Sequence, residues 1–309
     1  MMSNKKKYKL AIIISHPIQY HTPLFKKIAQ HSEIDLKVYF CSDLGENKKI
    51  DKGFGMAFKW DIPLLEGYNY KFLKTYFSIL TGDSLWALNL GIVKELWKGK
   101  YDAIIVHGYV SFSNWLAFFG AWLTKTPIIF RGETVLRPER SLYLKTIKYI
   151  VLRILFKRIM AFLTIGSRSE KFYKYYGVPQ EKLFFTPYSV DNERFINFNK
   201  LWIDKKEKIK KEIEVFDNLP IIIYVGKLIK RKRPVDILRA FSEMKNQARL
   251  VFVGEGELRP SLEKYCHEKD IKNVLFTGFI NQSILPKFYT IADVFVLPSS
   301  SQEVSPLVI

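Results

Sequence analysis

The stretch IIIYVGKLIKRKRP, residues 221–234, joins a run of β-branched residues to Gly226, then to a turn carrying Lys227, Lys230, Arg231, Lys232 and Arg233. An apolar run of that length, closed by glycine, reads as a strand covered on both faces, as in a parallel sheet. Comparable runs recur at RLVFVG (249–254), NVLFTG (273–278) and DVFVLPS (293–299), with amphipathic stretches between them. That alternation predicts βα units and a parallel sheet. Working outward, the first half carries a second series: LAIIIS (10–15), LKVYF (36–40), AIIV (103–106), PIIF (127–130), AFLTIG (161–166) and LFFTP (183–187). Between the series, residues 197–218 are polar and charged, with DKKEKIKKEIE reading as a solvated helix. The expected organisation is α/β: two Rossmann-like domains over residues 1–195 and 220–309, with 196–219 as a charged joint.

Composition bounds the function. The 309 residues are 48% hydrophobic, enough to fill two cores. A formal charge of +19 points to anionic partners: nucleic acid, anionic lipid or diphosphate substrates. The basic residues are scattered over helices with no nucleic-acid module among them, so a nucleic-acid partner is not expected. Only Cys41 and Cys266 occur, far apart, which fits a reducing compartment and gives no metal-site spacing. His16 and His21 suggest a metal pair that no carboxylate or cysteine pattern completes, so no metal or cofactor is expected. The basic start is followed by too short an apolar run for a secretory signal. Residues 103–124 carry no charge and are long enough to span a bilayer, but His107, Gly108, Ser111, Ser113 and Asn114 divide them into a strand, a polar turn and a helix over 113–123. Residues 143–165 place Ile147, Ile150, Val151, Ile154 and Leu155 on a helix with Lys145, Lys148, Arg153, Lys157 and Arg158. Such a helix suits an anionic membrane surface, and equally a buried face with snorkelling cations.

Five segments stand in register: YVGKLIKRKRP (224–234), FVGEGELRPSLE (252–263), VLFTGFI (274–280), LPKFYTIADVFVLPSS (285–300) and EVSPLVI (303–309). In order and spacing they resemble the donor-binding domain of family 4 glycosyltransferases. GVPQEKLFFTPYSVDNERF (177–195) is similar to the segment closing that family's N-terminal domain, and HPIQYHTPLF (16–25) to an opening found in some bacterial members. The resemblance implies a GT-B fold, two domains facing a cleft. It implies retaining transfer of a sugar from a UDP- or GDP-type donor to a glycan or lipid-linked acceptor, in the cytoplasm or at the inner face of its membrane. Glu303 matches the first glutamate of the family's E-x7-E motif, and the second would fall at position 311, so the chain is expected to stop within its donor domain.

The same resemblance assigns roles. A departing nucleoside diphosphate gathers negative charge that an enzyme without metal meets with fixed cations and helix-end dipoles. Gly226, Lys227 and Lys232 sit where the family holds the diphosphate, with Lys227 replacing the usual arginine. The bland reading of that cluster is a solvated basic turn. Ser305 and Pro306 read as an N-cap and first-turn pair, whose following amides on Leu307 and Val308 would point at a phosphate; a plain helix start reads the same way. Glu303 and His107 take sugar-contact roles, although a lone histidine after a strand is commonly structural. His16, Gln19, Arg131 and Glu133 are acceptor-side candidates at strand ends. An epimerase of the same architecture and a non-catalytic binding remnant remain alternatives.

Overall fold

The computed structural model of the chain describes residues 7–44, 46, 49–51, 56–76, 88–136, 141–244 and 247–300. The chain divides into two compact units, Met1–Glu46 with Leu64–Val190, and Asn47–Pro63 with Asp191–Ile309.

In the first unit β1 (Tyr8–Ile14), α1 (Thr22–Ala29) and β2 (Ile34–Phe40) precede an excursion through the hairpin β3 (Lys49–Asp51) and β4 (Met56–Phe58), which belongs to the second unit. The first unit resumes with β5 (Asn69–Phe72), α2 (Gly91–Gly99), β6 (Ala103–His107), α3 (Phe112–Leu123), β7 (Ile128–Arg131), α4 (Leu142–Lys157), β8 (Ala161–Thr164), α5 (Ser167–Tyr175) and β9 (Leu183–Phe185). Its seven strands lie in the order β5-β2-β1-β6-β7-β8-β9, all parallel. The apolar run of β1 follows from that placement, since a central strand with both faces covered buries every residue from Ala11 to Ile14. On one face Phe118, Phe130, Phe156, Phe162, Phe172 and Tyr173 form an aromatic core, and on the other Phe25 packs with Val38 and Phe40. Each fully buried phenylalanine contributes about 1.5–3 kcal/mol relative to an exposed one.

The second unit continues with α6 (Asn192–Trp202), α7 (Lys206–Glu212), β10 (Ile221–Val225), α8 (Pro234–Ser242), β11 (Arg249–Val253), α9 (Arg259–Glu268), β12 (Val274–Gly278), α10 (Leu285–Ile291) and β13 (Val294–Phe295). Its parallel sheet has the order β12-β11-β10-β13, and β3 and β4 pair antiparallel beside it in a separate ribbon. In both sheets the chain runs outward to one side and then crosses back: the direction reverses between β1 and β6 in the first unit and between β10 and β13 in the second. Ligands of open α/β sheets bind beyond the carboxyl ends of the strands at such a switch point.

Three expectations are corrected. The helix expected over 143–165 ends at Lys157, and the chain enters β8 at Ala161, because Ala161–Thr164 pairs with β7 and β9 and buries Phe162. The segment 196–219 is not a free joint: α7 is solvated except for Ile209, which is fully buried, and Lys287 of α10 pairs with Glu212. Residues 47–63, expected with the first domain, pack in the second unit. There Asn281 Nδ2 donates to the Lys59 carbonyl at 2.7 Å, Ser283 donates its amide to Asp61 at 3.0 Å, and Phe58 meets Phe279 with ring centres 5.0 Å apart. Those partners lie some two hundred residues away in sequence, where no local pattern reaches.

Candidate functional site

In the second unit the loops at the carboxyl ends of β10 and β11 are fastened backbone to backbone. The Gly226 amide donates to the Val253 carbonyl and the Leu228 amide to the Glu255 carbonyl, both at 2.9 Å. A Cβ on Gly254, whose φ is +148°, would stand 1.9 Å from the Gly226 carbonyl oxygen, and one on Gly256 2.6 Å from that of Leu228, so only glycine lets the loops close. The Tyr224 hydroxyl donates to the Lys227 carbonyl at 2.8 Å and fixes the turn from beneath. Lys227 is half-buried and Lys232 buried, whereas Lys230, Arg231 and Arg233 are exposed as a solvated basic turn would have them. The segment after β13 is tied to the same turn, its Ser300 amide donating to the Arg231 carbonyl at 2.9 Å. The structure thus holds Gly226, Lys227 and Lys232 in one rigid turn at the switch point of this sheet. Glu303, Ser305, Leu307 and Val308 lie outside the described residues.

In the first unit a cavity of about 290 Å³ opens at the switch point between β1 and β6. Its walls include Ser15 after β1, His107 and Gly108 at the end of β6, Arg131 and Glu133 at the end of β7, and Tyr188 after β9. Gly108, at φ +85°, turns the chain away from the sheet while its amide donates to the Arg131 carbonyl at 2.7 Å. Ser111 caps α3 by accepting from the Asn114 amide, and Asn114 Nδ2 donates to the His107 carbonyl at 3.1 Å, which fixes the backbone beneath the histidine.

His107 meets His21 edge-on with ring centres 5.0 Å apart, and His21 stacks on Phe25 at 5.9 Å. Burial, reinforced by the Arg131 charge, holds His107 down to about 3. Burial, then His107, Arg131 and His16, holds His21 well below the ordinary imidazole value. Both rings are therefore neutral at physiological pH. The Arg131 side chain is 4% exposed and lies over the Tyr188 ring at 4.8 Å. Burial lowers its pKa against the opposing attraction of Glu133, and its Nε has no hydrogen-bond partner among the described residues. The exposed Glu133 accepts from the Tyr188 hydroxyl. Burial, then the Glu133 charge, pushes the Tyr20 hydroxyl above its usual range.

Of the acceptor-side candidates, Arg131 and Glu133 line this cavity, together with His107. His16 and Gln19 belong to the loop after β1 but are not among the lining residues; His16 Nδ1 lies 3.0 Å from the Ser15 hydroxyl. Sequence reasoning missed Tyr20, Tyr188 and Asn114, and weighed His21 only as a metal ligand. Tyr188 follows the carboxyl end of β9, so applying the strand-end rule to every strand would have found it. Among the described residues no group of three His, Cys, Asp or Glu side chains could hold a metal ion, and no helix is long and apolar enough to cross a membrane.

Comparison with known proteins bears on the second unit most directly. Residues 205–309 match the family model described as Glycosyl transferases group 1. An uncharacterized glycosyltransferase of Methanocaldococcus jannaschii is 31% identical over 136 residues, covering 43% of this chain and 34% of that protein. The alpha-galactosylglucosyldiacylglycerol synthase of Streptococcus pneumoniae is 28% identical over 131 residues, covering 41% and 34%. The matches thus take in about a third of the length of these curated relatives. Among solved structures, a glycosyltransferase from Rickettsia africae superposes with TM-score 0.68 at 14% identity, over 95% of this chain and 73% of that one. Anabaena HepE in complex with UDP and glucose gives 0.63 at 14%, over 94% and 74%. The UDP-GlcNAc 2-epimerase of Neisseria meningitidis gives 0.59 at 16%, over 93% and 76%. The chain has an α/β GT-B-like fold, and its residues 205–309 are similar to the glycosyl transferases group 1 family.

Proposed function

We propose that the chain is a glycosyltransferase that moves a sugar, with retention of configuration, from a UDP- or GDP-type donor to a glycan or lipid-linked acceptor. The observation that carries this reading is the rigid Gly226–Lys232 turn at the switch point of a domain similar to group 1. Two lysines held there offer positive charge to a departing diphosphate without rearranging when the bond breaks. Lys227 keeps the charge of an arginine but gives up its bidentate fork, so phosphate is met as a point charge. A neutral His107 suits a sugar hydroxyl, which it can hydrogen-bond without bringing a second cation beside Arg131. The leaving phosphate itself can take the proton of the attacking hydroxyl, so the reading asks for no protein base.

The lipid-linked branch draws support from α4. Ile147, Ile150, Val151 and Ile154 share one side of the helix and are each more than a third exposed, and the helix also carries Lys145, Arg153 and Lys157. An apolar face edged with cations matches an anionic bilayer surface, so the protein is read as peripheral to the cytoplasmic membrane.

The test is transfer from radiolabelled UDP- and GDP-sugars to membrane lipid extract and to soluble glycans, with products resolved with and without acceptor. Acceptor-dependent product with retained anomeric configuration supports the reading. Epimerised free nucleotide sugar without acceptor would replace it with the epimerase alternative, whose architecture the fold shares.

A further inference from the structure

The first unit's cavity is lined by a buried guanidinium, Arg131, one of whose donors meets no acceptor among the described residues. Arg131 is nine-tenths buried or more, and its Nε, sealed from solvent, has no acceptor among the described residues. A buried donor left unmade forfeits the solvation it had in water, and a guanidinium more so than a neutral group. Proteins tolerate such a group where a ligand supplies the missing partner. The nearest carboxylate, Glu133, sits exposed at the rim and accepts from the Tyr188 hydroxyl. Tyr188 in turn holds the guanidinium plane against its ring at 4.8 Å, so the fork is oriented before any ligand arrives.

The remaining walls describe the rest of the ligand. Tyr20, His21 and Tyr188 form a cluster of rings, with Tyr20 and Tyr188 edge to face at 5.5 Å and His21 and Tyr188 at 5.8 Å. Aromatic faces pack against the C–H face of a pyranose, and neutral histidine and tyrosine groups hydrogen-bond its hydroxyls. Both histidines are held neutral, so Arg131 is the cation available to an anion there. A cavity of about 290 Å³ admits one sugar ring rather than an extended chain.

We propose that this cavity binds a pyranose bearing an oxyanion, carboxylate or phosphate, with the oxyanion on the Arg131 guanidinium and the ring against the cluster of Tyr20, His21 and Tyr188. Arg131 is then a specificity-determining residue that selects an acidic acceptor sugar. Naming that sugar the acceptor rests on the transferase reading; the binding itself does not.

The test is calorimetric titration of the full chain with glucuronic acid, glucose 1-phosphate, glucose and inorganic phosphate, in low salt, with and without UDP. The expected result is that at least one charged sugar binds tenfold or more tighter than glucose, and that Arg131→Met removes the difference while Arg131→Lys keeps part of it. Circular dichroism of the variants, and the wild-type comparison of charged against neutral sugar, keep the result independent of any folding defect. Equal binding of charged and neutral sugars overturns the proposal, as does a preference that survives in R131M. Inorganic phosphate binding as tightly as glucose 1-phosphate overturns its sugar half. Displacement of the charged sugar by UDP alone, lost in R131M, would put the donor's diphosphate on Arg131 and overturn it too. Loss of the charge preference with transfer intact sinks this proposal alone, whereas charge-selective binding without transfer to any acceptor sinks the transferase reading alone.

Discussion

Acidification from pH 7.5 to 5.0 should destabilise the first unit through two histidines that fold in the neutral form. His107 stays unprotonated until about pH 3 and His21 is held well below its ordinary value, both mainly because burial disfavours the cation. In the unfolded chain the same rings titrate near 6.5. A depressed histidine pKa means that the unfolded state binds the extra proton, so the stabilisation is intact above pH 6.5 and is lost as pH falls. At pH 5.0 the unfolded ring has gained about 1.36 kcal/mol for each pH unit below 6.5, roughly 2 kcal/mol for His107, with His21 acting in the same direction. Glu95 and Asp217, lowered by their bonds to Lys71 and Arg249, lose stabilisation only as pH falls through the ordinary carboxylate range and below, beneath this window. The measurement is the difference between wild type and His107→Gln, read from hydrogen exchange of β6 and β7 amides so that the second unit's unfolding does not intrude. The variant should lose about 2 kcal/mol less than wild type between pH 7.5 and 5.0, and His21→Gln should also lose less than wild type. Parallel curves for variant and wild type would show that His107 takes its proton in the folded protein, and the account of a dry, neutral histidine pair beside Arg131 would fail.

Other outcomes follow from the same geometry. Lys227→Ala should weaken binding of UDP or GDP by tenfold or more, as expected for one charge-assisted contact of about 1.5–3 kcal/mol, while leaving thermal unfolding almost unchanged; calorimetry on the nucleotide and on the melt separates the two. Gly254→Ala drives a methyl into the Gly226 carbonyl oxygen, so it should destabilise the second unit by roughly 2–3 kcal/mol in urea and loosen nucleotide binding with it. Phe130→Ala empties the centre of a ring cluster that includes Phe118, Phe156, Phe162 and Tyr173, and should cost about 3–5 kcal/mol in the first unit alone. Replacing Ile150 and Ile154 together by serine should weaken co-sedimentation with phosphatidylglycerol vesicles without lowering the urea midpoint, since both side chains already face water.

Much of the fold was legible because parallel sheets leave a local signature. β1, β2, β6 to β9 and β10 to β13 each coincide with an apolar run; the central strands, covered on both faces, need no alternation and stand out against their helices. β5 escaped notice because it is an edge strand: NYKF has three exposed residues of four and reads as a loop. The hairpin β3–β4 escaped because strands of three residues carry too little pattern, and their allegiance to the second unit is decided by Asn281, Ser283 and Phe279.

The two switch points differ in how they are written, and that difference explains which site residues the sequence yielded. In the second unit the site is backbone geometry: glycines that let two loops touch, and lysines a few residues further along the same turn. Such a site occupies contiguous sequence, so Gly226, Lys227 and Lys232 appear as a motif. In the first unit the site is made of side chains from α1's approach, β6, β7 and the segment after β9, brought together only by sheet order. No spacing rule links Tyr20, His21, His107, Arg131 and Tyr188. What sequence could offer was the weaker rule that strand ends carry function, which reached His107, Arg131 and Glu133 one at a time. The chemistry that singles out Arg131, a sealed guanidinium with a donor unmet, is a property of burial and exists only once the chain has folded.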